Sequence, residues 1–259
     1  MTDERTIDLS IDVPGGITEA WRAVATGPGI SSWFVPCQVE ERVGGEVIVD
    51  FGELGSDRGR VTVWEPPTRF AYDGGDTGEG PSLSFEWQIS EADADGCTVR
   101  LLNRGFSGEG GAAEAEGMAA GWQIYLENLR LHLTHFPGLE ARAITPTVMV
   151  PGDNEAAWAE LCSALDLQVD LGEGAHFTTS GEGVPMLIGT IEKNLAIPGK
   201  LSAYLVRTEA PAAGTAFIAA EGGGEAAACS VWLYLYDDDR DEIEDRWTPF
   251  LHERFGAPG

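Results

Sequence analysis

The chain opens on strict alternation. Ile7, Leu9, Ile11 and Val13 alternate with Asp8, Ser10 and Asp12, which predicts a strand with one buried face. Pro14-Gly15-Gly16 breaks the pattern. Ile17, Ala20, Trp21 and Val24 then mark one face of a short helix with Thr18 as its N-cap, ending at Gly27-Pro28-Gly29. A second turn of helix is expected over Ser31-Ser32-Trp33-Phe34. Strands at hairpin spacing follow over 37–43, 46–51, 59–64 and 68–72. Leu83, Phe85, Trp87 and Ile89 then alternate with Ser84, Glu86 and Gln88, and Asp95-Gly96 turns this strand back into 98–104. Residues 105–117, rich in Gly, Ala and Glu, read as a loop. Beyond them Met118, Trp122, Tyr125, Leu126, Leu129, Leu133 and Phe136 form the apolar stripe of a helix about five turns long, stopped by Pro137-Gly138.

One strand, two short helices, six antiparallel strands and a long helix make an α+β plan, in which the helix stripe covers the concave face of a curved sheet. The second half repeats it. A strand at 147–150 leads to a helix capped by Pro151-Gly152-Asp153-Asn154, with Trp158, Leu161, Cys162 and Leu165 on its inner face. Strands are expected at 175–179, 186–193, 201–208, 215–220 and 228–236. A last helix over 241–255 carries Ile243, Trp247, Phe250, Leu251 and Arg254, with Asp237-Asp238-Asp239 at its positive end. Two tandem domains, 1–139 and 140–259, are therefore expected, joined by a linker at 138–144.

Charge narrows the partners. The net charge is -27, and the excess is spread evenly: the first 138 residues carry 23 acidic and 9 basic side chains, the rest 20 and 7. Such a surface favours solubility and repels nucleic acid and anionic membranes, so neither is an expected partner. No apolar run approaches the roughly 18–20 residues of a membrane span. The polar, acidic N-terminus does not read as a signal peptide, so the protein is expected in the cytoplasm. Cys37, Cys97, Cys162 and Cys229 form no C-x-x-C and read as reduced thiols, Cys162 on a core face. His132 and His135 follow the polar edge of the long helix near its C-terminus, where a cation suits the macrodipole. They lack neighbouring ligands, His176 is expected at a strand edge and His252 on the last helix, and neither a metal nor a cofactor is expected. No nucleophile-elbow, zinc-protease or phosphate-loop motif is present, and no catalytic residue is identified.

Several motifs occur together and in one order: Ala20-Trp21, Trp33-Phe34, Gly44-Gly45-Glu46-Val47, Gly59-Arg60-Val61, Pro66-Pro67-Thr68-Arg69-Phe70, and Gly121-Trp122 with Leu126 and Leu129. On these the first half resembles the activator-of-heat-shock-ATPase-like branch of the START/polyketide-cyclase superfamily, and the second half resembles a divergent copy. The resemblance implies a helix-grip fold, a curved antiparallel sheet wrapped around a long C-terminal helix, with a cavity between them. Trp33, Phe34, Phe51, Phe85, Trp87, Trp122, Tyr125 and Leu126 would line that cavity, and the space bounded by Trp33, Phe85, Trp87, Trp122 and Leu126 is expected to stay partly unfilled. A small hydrophobic or aromatic molecule is the expected ligand. Two other readings stand beside this one. The first is a cyclase/aromatase- or hydrolase-like enzyme drawing on Arg60, Arg100, Asn103, Arg104 or Tyr125. The second is a chaperone-linked interaction protein, whose partner would present a basic surface.

Overall fold

A computed structural model describes residues 5–52, 55–74, 83–92, 96–108, 110–222, 224–236 and 240–256. Asp95 and the acidic run 237–239 lie outside them. The chain divides into two compact units, Met1–Glu140 and Ala141–Gly259.

The first unit runs β1 (Arg5–Pro14), α1 (Ile17–Ala25), α2 (Gly27–Ser31), β2 (Cys37–Val39), β3 (Glu46–Asp50), β4 (Ser56–Glu65), β5 (Arg69–Gly74), β6 (Ser84–Glu91), β7 (Gly96–Phe106) and α3 (Gly111–His135). Its sheet has the order β1-β7-β6-β5-β4-β3-β2, every pair antiparallel. The first strand thus lies beside the last, and α3 packs along β1 and β7 and against α1.

Local chemistry corrects four expectations. The cap of α1 is Gly16, not Thr18, because the Glu19 carboxylate reaches back to accept the Gly16 N–H at 3.3 Å. The second short helix precedes Trp33-Phe34. Thr26 caps it by accepting the Gly29 N–H at 3.1 Å, with Pro28 in the first turn. The strand expected over 37–43 stops at Val39, since the chain must turn through Gly44 at φ +78°. Finally, α3 begins at Gly111, so most of the expected loop is helix. Ala and Glu are strong helix formers, and only the missing apolar stripe hid that turn.

The second unit runs β8 (Arg142–Ile144), β9 (Thr147–Pro151), α4 (Asn154–Ala164), β10 (His176–Thr178), β11 (Ile188–Ile197), β12 (Leu201–Ala210), β13 (Gly214–Glu221), β14 (Ala226–Leu235) and α5 (Arg240–Phe255). Its sheet has the order β10-β11-β12-β13-β14-β8, and β9 also pairs with β14. As expected, Asp153 caps α4, accepting the Ala156 N–H at 2.8 Å. β8 falls inside the span expected to be linker, because Arg142, Ala143 and Ile144 pair with Leu235, Tyr234 and Leu233.

Fine detail repeats at a constant offset of 130 residues. Gly44 N–H donates to the Val61 carbonyl at 2.8 Å and Val61 N–H to the Gly45 carbonyl at 2.9 Å; Gly174, Ile191 and Ala175 do the same at 2.8 and 2.9 Å. Gly44 and Gly174 share a positive φ, +78° and +81°. Gly59 and Gly189 each lie where a Cβ would meet a neighbouring strand's carbonyl, Asp73 O at 2.1 Å and Arg207 O at 2.4 Å. A bulge follows both, at Val61/Val63 and at Ile191/Lys193. Both units are α+β helix-grip domains in tandem. Among the described residues no helix is long and apolar enough to cross a membrane.

Candidate functional site

Strand register puts the candidate residues on one face. Phe70 and Tyr72 of β5 lie opposite Trp87 and Phe85 of β6, which lie opposite Leu101 and Asn103 of β7. Directly opposed side chains share a face of the sheet. The helix α3 sets Trp122 onto that face, its ring 5.6 Å from Trp87 and 6.0 Å from Phe85. The segment after α2 adds Trp33, 5.7 Å from Trp87, and Phe34, 4.9 Å from Trp122 and 4.7 Å from Tyr125. Phe51 closes the group at 6.1 Å from Phe34. The seven aromatic candidates therefore form one connected cluster, and Leu126 is buried one turn beyond Trp122.

The cluster has a depth. Trp33, Trp87 and Trp122 are buried and meet edge to face, so rings pack the deep part of the space, bounded by these three with Phe85 and Leu126, that was expected to stay partly unfilled. Phe51, Phe85 and Tyr125 are only half-buried and form its outer side. Trp33 is locked in place, its Nε1 donating to the Ala23 carbonyl at 2.8 Å while Asn128 Nδ2 donates to the Trp33 carbonyl at 2.8 Å. Asn128 escaped the sequence reading, which treated polar residues of α3 as its solvent face. Phe70 and Tyr72 also belong here, with Tyr72 stacked on Phe85 at 4.9 Å; their alternation was visible in the sequence but not their partner.

Three buried polar atoms in or beside the cluster have no hydrogen-bond partner among the described residues: Asn128 Oδ1, next to Trp33, and two atoms of residues that neighbour Phe85. One is Asn103 Oδ1, whose amide Nδ2 donates to the Ser84 carbonyl at 3.0 Å. The other is Trp122 Nε1. Both residues adjoin Phe85, Asn103 as its cross-strand neighbour and Trp122 by ring contact. An unsatisfied buried donor or acceptor costs about 1–3 kcal/mol.

The second domain serves as an internal control. Counting outward from the shared bulge, Tyr72 corresponds to Val206, Phe85 to Ala216, Trp87 to Ile218 and Asn103 to Leu233. All four replacements are aliphatic and have 0% exposure. Beneath them Tyr204 hydroxyl donates to the Gln168 carbonyl at 2.7 Å and accepts the Leu171 N–H at 2.9 Å, pinning 168–171 onto the sheet. The same fold thus closes without the aromatics and without Asn103.

Of the residues considered for acid–base chemistry, Arg60, Arg100 and Arg104 lie on the opposite face. Arg100 binds Asp8 in a bidentate pair at 2.7 and 2.6 Å, Arg104 binds Glu86 at 2.9 Å, and Arg60 donates to the Gly44 carbonyl at 3.2 Å. Only Asn103 and Tyr125 reach the cluster. Burial alone would raise the Glu86 pKa, but hydrogen bonds from Gln88, Arg69 and Arg104 outweigh it and hold the carboxyl at about 2. His132 is buried rather than on a polar edge, and burial pushes it down to about 4, so it is not the helix-end cation expected. His176 does begin the edge strand β10, exposed and 3.1 Å from Glu209. All four cysteines are buried and free, and burial pushes Cys37, Cys162 and Cys229 up to about 12, far from thiolate chemistry. Among the described residues no three His, Cys, Asp or Glu side chains gather as metal ligands would.

No curated protein matches the chain. Solved structures similar to it include a protein of Mesorhizobium loti, 18% identical, covering 51% of this chain and 98% of that one, with a TM-score of 0.47. The Aha1 dimer of Colwellia psychrerythraea is 18% identical, covering 50% and 96%, with a TM-score of 0.43. The di-domain ARO/CYC BexL from the BE-7585A biosynthetic pathway is 14% identical, covering 98% and 100%, with a TM-score of 0.47. Residues 16–134 match the sequence model of the family described as Activator of Hsp90 ATPase homolog 1-like protein. That span runs from the cap of α1 to the last turn of α3, so the first of the two helix-grip domains belongs to this family.

Proposed function

We propose that the first domain binds a small apolar or aromatic molecule, held by Phe51, Phe85 and Tyr125 against Phe34 and the edge of Trp122. The observation that carries this is the contrast between sister domains. Where the second domain seals its sheet with Ala216, Ile218 and Leu233, the first keeps half-buried aromatic rings and a buried amide. Half-buried rings offer flat apolar contact at little entropic cost. An enzymatic reading draws less support, since three of its five candidate side chains face the other way and are engaged there. The interaction reading rests on the family description and on the charge of -27, which would ask for a basic partner.

Nile red, a neutral hydrophobic dye, tests the proposal on the full chain. It should fluoresce on binding and raise the melting temperature by linkage. Phe85→Ala borrows the residue of the sister domain, so the fold should tolerate it, and dye affinity should fall about tenfold, the worth of one aromatic contact. Dye that neither binds nor shifts melting, or binds Phe85→Ala as well as the parent, would refute the assignment.

A further inference from the structure

We propose that the ligand of the first domain is an uncharged aromatic bearing a hydroxyl, and not a carboxylate or another anion. The inference rests on the binding reading above and narrows its chemistry. Two buried polar atoms of residues that neighbour Phe85 have no hydrogen-bond partner among the described residues, and they are complementary: Trp122 Nε1 can only donate and Asn103 Oδ1 can only accept. A hydroxyl is the smallest group that accepts from one and donates to the other. A carboxylate could accept from Trp122, but it would bring its negative charge against the Asn103 oxygen. Arg58, Arg60, Arg69, Arg100 and Arg104 of the sheet lie on the opposite face, held by Asp8, Glu46, Glu86 and the Gly44 carbonyl. Burying an anion without a compensating partner is strongly unfavourable, whereas a neutral hydroxyl enters with both of its hydrogen bonds made. The sister domain sharpens the point, because Leu233 occupies the position of Asn103 and completes an apolar core. The fold therefore does not require an amide there.

Three probes of matched size separate the possibilities on the full chain at neutral pH: naphthalene, 2-naphthol and 2-naphthoate. Naphthol should bind tighter than naphthalene by about three- to tenfold per hydrogen bond gained, and naphthoate should bind most weakly. Trp122→Phe keeps a ring but removes the donor, and Asn103→Leu installs the sister domain's residue. Each should bring the ratio of naphthol to naphthalene affinity down towards one, since the variant removes a hydrogen bond that only naphthol makes. Should Trp122→Phe fail to fold, the indole N–H resonance of Trp122 in the parent protein replaces it, shifting with naphthol and not with naphthalene. Equal affinity for naphthol and naphthalene, or tightest binding of naphthoate, overturns this inference and leaves the binding site standing. Failure of all three probes to bind removes the site itself, and this inference with it.

Discussion

Glu86 lies on the outer face of the first sheet, yet only 7% of it is exposed. Arg69 at 2.8 Å, Arg104 at 2.9 Å and Gln88 at 2.8 Å complete its hydrogen bonding, so the buried carboxylate is matched by counter-charges that themselves stay partly exposed. Its pKa near 2 lies below the ordinary 4.5, so the folded state holds the proton less tightly than the unfolded chain. The stability this confers is complete above about pH 4.5 and is lost as pH falls through about 2. Glu86→Gln should therefore cost about 1–2 kcal/mol at neutral pH, towards the low end for hydrogen bonds to charge because both arginines are partly exposed. It should also flatten the acid limb between those two pH values. Chemical unfolding of parent and variant across that range checks this, and parallel limbs would show that the cluster contributes nothing. At this scale the aromatic side chains were legible in the sequence, because alternation alone places Phe85 and Trp87 on one face. Asn103 could be named but not assigned a side, and Asn128 was lost in a helix face that reads as polar. Which polar atoms lack partners depends on neighbours contributed by other elements, and no spacing encodes that.

Helix α3 is longer than its apolar stripe. Its first two turns, from Gly111, carry alanine and glutamate without a hydrophobic repeat, so periodicity starts the helix too late while intrinsic propensity places the start correctly. Gly117 and Gly121 lie within it, and a Cβ at either position meets nothing within 4 Å. Gly117→Ala and Gly121→Ala should each stabilise the domain by about 0.5–1 kcal/mol, the usual difference between the two residues inside a helix. Thermal unfolding reads this out, and no gain from either would mean that 111–121 is not helical in solution. Gly29 makes the contrast: a Cβ there would fall 1.8 Å from the Arg22 carbonyl, so Gly29→Ala should destabilise instead. In the second domain β13 is buried at every residue from 214 to 220, which leaves no alternation for a pattern to show. The repeated bulge after Gly59 and Gly189 was equally hidden, because it resides in backbone pairing that two dissimilar sequences both satisfy.

At the scale of the whole chain, the division between the two units falls between Glu140 and Ala141. Residues 137–140 are exposed, Leu139 at 53%, whereas 142–144 are held in the second sheet. Limited proteolysis should therefore cut within 137–140 and release two stable fragments of about half size, as nicking favours exposed connections between compact domains. Peptide mapping of the products decides it, and cleavage confined to other loops, with no half-size fragment, would defeat the two-domain account. The sequence by itself determined the class of fold, the order of elements in both halves apart from β8, the shared face of Phe85 and Trp87 and the aromatic character of the candidate site. These are local properties, set by periodicity, turn chemistry and propensity over a few residues. Only the tertiary structure decided that the indoles fill the deep part of the grip, that three candidate arginines turn away from it, and that Trp122 and Asn103 keep one polar atom each without a partner. Those outcomes depend on which side chains from distant segments come to share a volume, and close packing settles that competition only when the whole domain has assembled.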